Sequence, residues 1–294
     1  RHRRAGRREC PRQAGAQTRM TAVLLALASA ALFGAMTVAV RIGLRGDVDP
    51  ARGALATVLP ALAVCFLASL VRHDFGGAWP FFFAGLLAPG LSQLFFTFGI
   101  RDIGASRTSV TVGAAPLAAV AIALIFLSEP LRLPLLVGAL LIVGGGVFLA
   151  VEKDRPGHLR GRGLLFAAGA ALLFATRDNL ARALHGHASP QTAATATLIA
   201  GAVVAFAWAR RLPSRTEARA LAPAGVLFGL SYVCLFEAYW RGRVSVVSPL
   251  VATESLWGVV LSAVLIRHTE GMGRKLVIGA LLIVAGGALI GATR

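Results

Sequence analysis

The sequence predicts an all-α integral membrane protein of ten transmembrane helices, arranged as two inverted five-helix repeats. Three observations point there: apolar runs long enough to cross a bilayer recur down the chain, the second half repeats the first, and loop charge changes sides between the copies. Of the 294 residues, 56% are hydrophobic and 15% charged, against about 25% charged in an ordinary soluble domain. Too few charges remain to clothe a soluble core of this size, so the expected solvent is lipid.

A helix needs about 20 apolar residues to cross the hydrocarbon core with its backbone groups satisfied internally. Uncharged stretches give spans at 20–40, 53–71, 75–100, 108–128 and 133–151. After a polar connection at 152–162 the pattern resumes at 163–176, 188–210, 220–236, 244–266 and 276–293. The sixth span is interrupted early by Arg177 and Asp178, the eighth runs into Glu237, and the ninth carries Glu254 in its middle. Residues 1–19 hold seven Arg and one Glu and stop at Met20. They read as a disordered basic tail or a mis-assigned start, outside the fold. The first repeat is then 20–151 and the second 163–292.

The duplication is direct. Val137-Gly-Ala-Leu-Leu-Ile-Val-Gly-Gly-Gly146 recurs as Ile278-Gly-Ala-Leu-Leu-Ile-Val-Ala-Gly-Gly287, and Glu129 falls on Glu270 at the same offset of 141 residues. Ala31-Leu-Phe33 matches Leu172-Leu-Phe174, and Arg41 matches Arg182. Five helices per copy turn the second copy upside down, so each loop should swap sides. The loop after the second span has only Arg72, whereas its counterpart after the seventh has Arg210, Arg211, Arg215 and Arg219. Odd-numbered loops hold sixteen Lys and Arg; even-numbered loops with Arg294 hold seven. Positive-inside places the odd loops in the cytoplasm, but adding the seven tail arginines makes the balance sixteen to fourteen and leaves orientation open.

Two repeats of five helices occur with Phe33-Gly34 and Phe174-Ala175 in the first helix of each. Gly104-Ala-Ser-Arg107 and Arg243-Val-Ser-Val246 lead into the fourth, and Ser128-Glu129-Pro130 and Thr269-Glu270-Gly271 close that hairpin. This pattern, over about residues 20 to 292, resembles EamA-type members of the drug/metabolite transporter superfamily. The resemblance implies a ten-helix inverted-repeat fold. It further implies a central cavity lined by helices 1, 3, 4, 6, 8 and 9, and export or exchange of amino acids, metabolites or drugs. Two positions depart from the family pattern: Phe stands where Trp is frequent in the first helix, and Ser255 replaces, in the second copy, the proline kept as Pro116 in the first.

A charged carboxylate at membrane depth costs several kcal/mol unless it pairs, lines a wet cavity or is protonated. Glu254 is therefore the sharpest candidate, for proton coupling or for a substrate amine, with Trp257 one turn away on a face shared with Val247, Val251 and Gly258; a neutral Glu bonding between helices is the alternative. Arg177 and Asp178 take the repeat positions of Met36 and Thr37. They form either a cavity cluster or the snorkelling end of a short helix, with Asp178 able to pair with Arg182. Glu237, four residues before Arg241, reads first as a surface pair. Tyr232 matches Gln93, which shares a face with Thr97; these are cavity hydrogen-bonding groups or interhelical glue. Thr108, Thr111 and Ala115 share a face of the fourth helix, and Ala115 is the repeat equivalent of Glu254. Glu129 and Glu270 read as hairpin ends, Gly287 and Gly291 as a GxxxG motif, and Gly144 to Gly146 as its thin counterpart.

Other functions lack their parts. Cys10, Cys65 and Cys234 are isolated, His185 and His187 lie in a Gly- and Ser-containing loop, and neither a metal nor a cofactor is expected. Intramembrane enzymes would show acidic prenyl-diphosphate motifs, a Ser nucleophile with a transmembrane His, or HExxH; none occurs, so no catalytic residue is assigned. The net charge of +17 sits in short clusters between apolar runs, which is a membrane-loop pattern rather than a nucleic-acid footprint. The expected function is a secondary transporter, an exporter or exchanger of a small metabolite, amino acid or drug-like solute by alternating access, with protons as a candidate coupling ion. A lipid or lipid-linked-sugar flippase of the same fold is the alternative. The expected setting is the cell membrane, multi-pass, of the bacterial inner-membrane kind, as monomer or homodimer.

Overall fold

The computed structural model of the chain describes residues 11–45, 48–72, 75–115, 117–118, 133–150, 161–242, 247, 250–266 and 273–292. Its helices are α1 (Pro11–Gly43), α2 (Pro50–Arg72), α3 (Trp79–Ile103), α4 (Ala105–Val112), α5 (Leu133–Ala150), α6 (Arg162–Ala183), α7 (Pro190–Ala209), α8 (Arg215–Arg241), α9 (Glu254–Leu265) and α10 (Arg274–Ala292). Among the described residues, six helices are long and apolar enough to cross a membrane, all from α1 to α3 and α6 to α8, with α9 a shorter apolar helix. The fold is all-helical with six such spans; ten crossings exceed what helix length and composition establish. Helix α1 begins at Pro11, with Met20–Gly43 as its membrane-length part. Residues 11–19 thus continue a helix where a disordered tail was expected, as their Ala and Gln content permits.

Local chemistry fixes where the helices start. Asp49 Oδ1 accepts from the backbone N–H groups of Ala51 and Arg52, each at 3.0 Å, and Pro50 occupies the first turn of α2. Ser189 caps α7 ahead of Pro190, and Ser214 with Glu217 forms a reciprocal capping box on α8. Between α3 and α4 the chain turns at Gly104, whose φ of 85° suits a residue without Cβ. Helix α3 bends at a π-helical stretch, Leu86–Leu91, where Ala88 leaves helical geometry beside Pro89.

Contacts at the helix ends establish the directions of the chain. Arg52 pairs with Glu217 and Arg72 with Glu237, so α2 and α8 run parallel. Arg41 donates to the carbonyls of Ile100 and Arg101, and Arg162 pairs with Asp102. The ends of α1 and α3 therefore meet the start of α6 at the same arginine-rich end. At the opposite end the Trp240 indole donates to the Ala188 carbonyl, and Gly77, just before α3, lies against His187. Thus α1 and α6, α2 and α7, and α3 and α8 each run in opposite senses, as an inverted repeat requires. The packing follows the same exchange: α1 lies on α8 as α6 lies on α3, and α2 lies on α8 as α7 lies on α3. Helices α5 and α10 pair antiparallel, because Gly145 meets the Gly279 carbonyl while Gly286 meets that of Gly138.

Close approach depends on small residues. A Cβ at Gly145 would lie 2.6 Å from the Gly279 oxygen, and one at Gly286 2.5 Å from the Gly138 oxygen. Gly145, within the expected Gly144 to Gly146 stretch, and Gly286 make this contact. A second close seam, which the sequence reading missed, sets Gly225 and Gly229 of α8 against the Thr57 and Ala61 carbonyls of α2 at 2.6 and 2.8 Å from the Cβ positions. Glu129, Glu270 and Pro116 lie outside the described residues.

Candidate functional site

Helix α6 does not stop at its charges. It continues through Arg177 and Asp178 to Ala183, so the two side chains lie inside the bundle, and the early-ending alternative is overturned. Arg177 donates to Asp178 Oδ1 from Nε at 2.9 Å and Nη2 at 2.7 Å, and to the Tyr232 hydroxyl from Nη1 at 2.8 Å. The guanidinium also lies 5.0 Å from the Phe174 ring centroid and 5.3 Å from that of Tyr232. Tyr239 of α8 stands close enough to Asp178 to interact with it. Burial thus selects the adjacent partner: Asp178 is satisfied by Arg177, and the expected partner Arg182 has its side chain outside the described residues.

The ninth span is not one unbroken helix. Residues Ala252 and Thr253 form a turn held by bonds of the i to i−3 type, Thr253 N–H to Leu250 and Ser255 N–H to Ala252, and α9 begins at Glu254. Glu254 therefore occupies the first turn of α9 instead of the middle of a span, where the N-terminal helix dipole favours a carboxylate. The first repeat has its own turn, Gly113 and Ala114, with Ala114 N–H bonded to Thr111 and Ala115 resuming the helix. Ala115 and Glu254, matched by sequence, each follow such a turn. The two turns face one another, since a Cβ on Gly113 would lie 2.8 Å from Ser255 Cβ.

A cavity of about 30 Å³ opens between these parts, lined in part by Ser29, Phe33, Ala115, Arg177, Asp178 and Glu254. That volume holds about two water molecules, far below the several hundred Å³ of a metabolite site. The Glu254 carboxylate is buried, makes no hydrogen bond or ion pair among the described residues, and feels the charges of Arg177 and Asp178. Ser29 and Ser231, also lining, face each other with Oγ atoms 3.0 Å apart.

Four phenylalanines close one side. Phe33 packs on Phe96, Phe174 and Phe228 with centroids 5.2, 5.8 and 6.1 Å away. Along α1, which runs towards the arginine-rich end, Phe33 follows Ser29; along α6 and α8, which run away from it, Phe174 precedes Arg177 and Phe228 precedes Tyr232. The layer consequently separates the charged cavity from the arginine-rich end. On the other side Tyr232, Phe236, Trp240 and Phe81 stack in sequence with centroids 5.6 to 5.8 Å apart.

The remaining sequence candidates lie elsewhere. Trp257 is 43% exposed on the outer side of α9, with its Cβ against Gly34, and does not line the cavity. Gln93 donates to Thr57 Oγ1 at 3.2 Å and Thr97 to the Gln93 carbonyl at 2.8 Å, which makes Gln93 a strut between α3 and α2. Thr108 and Thr111 bond back to Gly104 and Arg107 in their own turn. Glu237 is buried at the far end of the bundle. It binds Arg72 at 2.8 Å together with Arg241 and Gln191, and so ties α2, α7 and α8. The Arg241 pair was expected; its burial and its two further partners were not. Ser29, Phe33, Phe174 and Ser231 are among the lining residues that sequence reasoning did not select as site residues, although the coincidence of Phe33 with Phe174 at the repeat offset was a usable signal.

An all-helical bundle of inverted halves, with charged groups sealed at its centre around interrupted helices, belongs to the class of multi-pass membrane transporters. The sequence matches the EamA-like transporter family over residues 20–151 and again over 161–292, and the chain belongs to that family. Its members are transporters of the drug/metabolite superfamily, not enzymes. A solved crystal structure is similar in fold over 91% of this chain and 94% of its own, with TM-score 0.68 at 20% identity. None of the curated proteins matches the sequence significantly.

Proposed function

We propose that this chain is a ten-span secondary transporter of the bacterial inner membrane, in two inverted repeats at 20–151 and 163–292. It exports or exchanges a small metabolite, amino acid or drug-like solute by alternating access. The observation that carries the reading is the unpaired, buried Glu254 beside an internally compensated Arg177–Asp178 pair, at the place where α4 and α9 are interrupted. The Asp178 carboxylate offsets the Arg177 charge, so the pair brings no net charge to the cavity. Glu254 then sets the sign of the site: negative when ionised, neutral when protonated. Such a site suits a proton or a cationic group of the solute better than an anion, and the two can exchange there. Interrupted helices facing each other supply a hinge at that depth. The cavity's small size fits a closed step of the cycle, from which either aromatic layer opens.

The test uses proteoliposomes and a solute picked by thermal stabilisation of the purified protein across amino acids and organic amines. Glu254→Gln should abolish transport driven by a pH gradient while leaving the protein folded. Gradient-driven transport at the wild-type rate in Glu254→Gln would contradict the reading.

A further inference from the structure

A second concavity lies apart from the central site, at the arginine-rich end of the bundle. It is an open groove of about 310 Å³ lined by Asp49, Ala51, Arg52, Phe98, Trp208, Ala209 and Arg211. Three helix ends frame it: the start of α2, the last turn of α7 and the second half of α3. Its position follows from the repeat inversion, because the loop after α7 returns to the same end as the loop after α1.

The chemistry of the walls is specific. Arg211 makes no hydrogen bond or ion pair among the described residues. Arg52 gives one N–H donor to Glu217 at 3.2 Å and keeps others, since a guanidinium has five. The acidic groups present are already engaged. Asp49 Oδ1 accepts from two backbone N–H groups, and Glu217 accepts from Arg52 and from the Ser214 N–H at 2.7 Å. Arg45, Arg210, Arg215 and Arg219 belong to the loops and the helix start at the same end of the bundle and add to its positive field. One wall is aromatic: Trp208 is 57% exposed at the last turn of a membrane-length helix, where indole rings anchor at the lipid headgroup level. Ile199, Val203 and Phe206 are exposed on the side of α7 turned away from Trp208.

We propose that this groove binds the headgroup of an anionic phospholipid. The phosphate sits between Arg211 and Arg52, and Trp208 flanks the glycerol level. Cationic pockets between transmembrane helix ends take lipid phosphates in this way, and each arginine near a membrane surface contributes enough for about a fivefold change in binding. Trp208 stands beside the groove at the end of a membrane-length helix, the depth at which lipid headgroups lie, which argues for lipid as the source of the phosphate. The inference is independent of what the central cavity carries.

Native mass spectrometry of the full chain, released from micelles containing equal phosphatidylglycerol and phosphatidylcholine, tests it. Wild type should retain phosphatidylglycerol preferentially, Arg211→Gln should retain it about fivefold less, and Arg211→Lys should restore most of the retention. Trp208 fluorescence should be quenched by brominated phosphatidylglycerol more than by brominated phosphatidylcholine, against the background of a Trp208→Leu variant. Equal retention of the two lipids would overturn the proposal, as would unchanged retention in a folded Arg211→Gln. Displacement of the lipid by millimolar inorganic phosphate would instead make this a soluble-phosphate site and would equally overturn it.

Discussion

Removing both members of the Arg177–Asp178 pair should cost less than the sum of the two single removals. The two side chains are 6% and 12% exposed, and three hydrogen bonds of 2.7 to 2.9 Å hold the guanidinium to Asp178 and Tyr232. Asp178→Asn keeps the shape but leaves Arg177 as an uncompensated buried cation, a loss of about 3–5 kcal/mol. Arg177→Met strands the carboxylate at a similar cost. In a chain of this size each kcal/mol moves Tm by about 2–4 °C, so each single variant should melt on the order of 10 °C lower in detergent. The double variant Arg177→Met/Asp178→Leu removes the charges together and should recover a coupling of about 2–3 kcal/mol. Thermal unfolding followed by the accessibility of buried cysteines reads all four proteins. Single variants melting within about 2 °C of wild type, or a double variant whose loss equals the sum of the two, would refute the reasoning. Either result would mean that the pair is solvated like a surface pair.

Two further outcomes follow from the packing. Gly286→Leu should separate α5 from α10, because even a Cβ meets the Gly138 carbonyl at 2.5 Å; a loss of about 1–3 kcal/mol, or failure to assemble, should show in thermal unfolding, whereas Gly144→Leu, with open space at its Cβ position, should be nearly silent. Trp257→Ala should leave transport close to wild type, since that ring faces outward, while Phe33→Ala, which removes the hub of the four-phenylalanine layer, should raise solute leak measured in liposomes.

The six membrane-length helices were legible because lipid imposes a coarse, one-dimensional rule: apolar for about 20 residues, polar between. Inversion was legible too, in the loop charges, and the opposed directions of α1 and α6, α2 and α7, and α3 and α8 follow the same scheme. What the letters hid depends on which way a side chain turns. Arg177 and Asp178 left two readings open, a cavity cluster or a helix end, because charges usually end spans; once they compensate each other helix α6 carries them inside. The turn at Ala252 and Thr253 breaks the helical spacing that put Val247 and Val251 on the face of Glu254, while Trp257 keeps its spacing within α9 but turns its ring outward, which spacing alone does not give. Ser29 and Ser231 carry no periodic signal, and only the crossing of α1 over α8 brings them together. The Gly225–Gly229 seam was overlooked although the two glycines form a GxxxG motif in α8; the carbonyl row on α2 that they meet cannot be read from that motif.

The central claim is that solute passes through the cavity between the two interrupted helices and that this cavity opens to each side in turn. Cysteine labelling tests it most directly. In a chain with Cys10, Cys65 and Cys234 replaced, Ala115→Cys sits on the cavity wall beside Glu254. A membrane-impermeant maleimide should modify it both in right-side-out and in inverted vesicles, and should spare Val203→Cys on the lipid-facing side of α7. Labelling of Ala115→Cys from one side only, or from neither, in a protein that still transports would contradict the account.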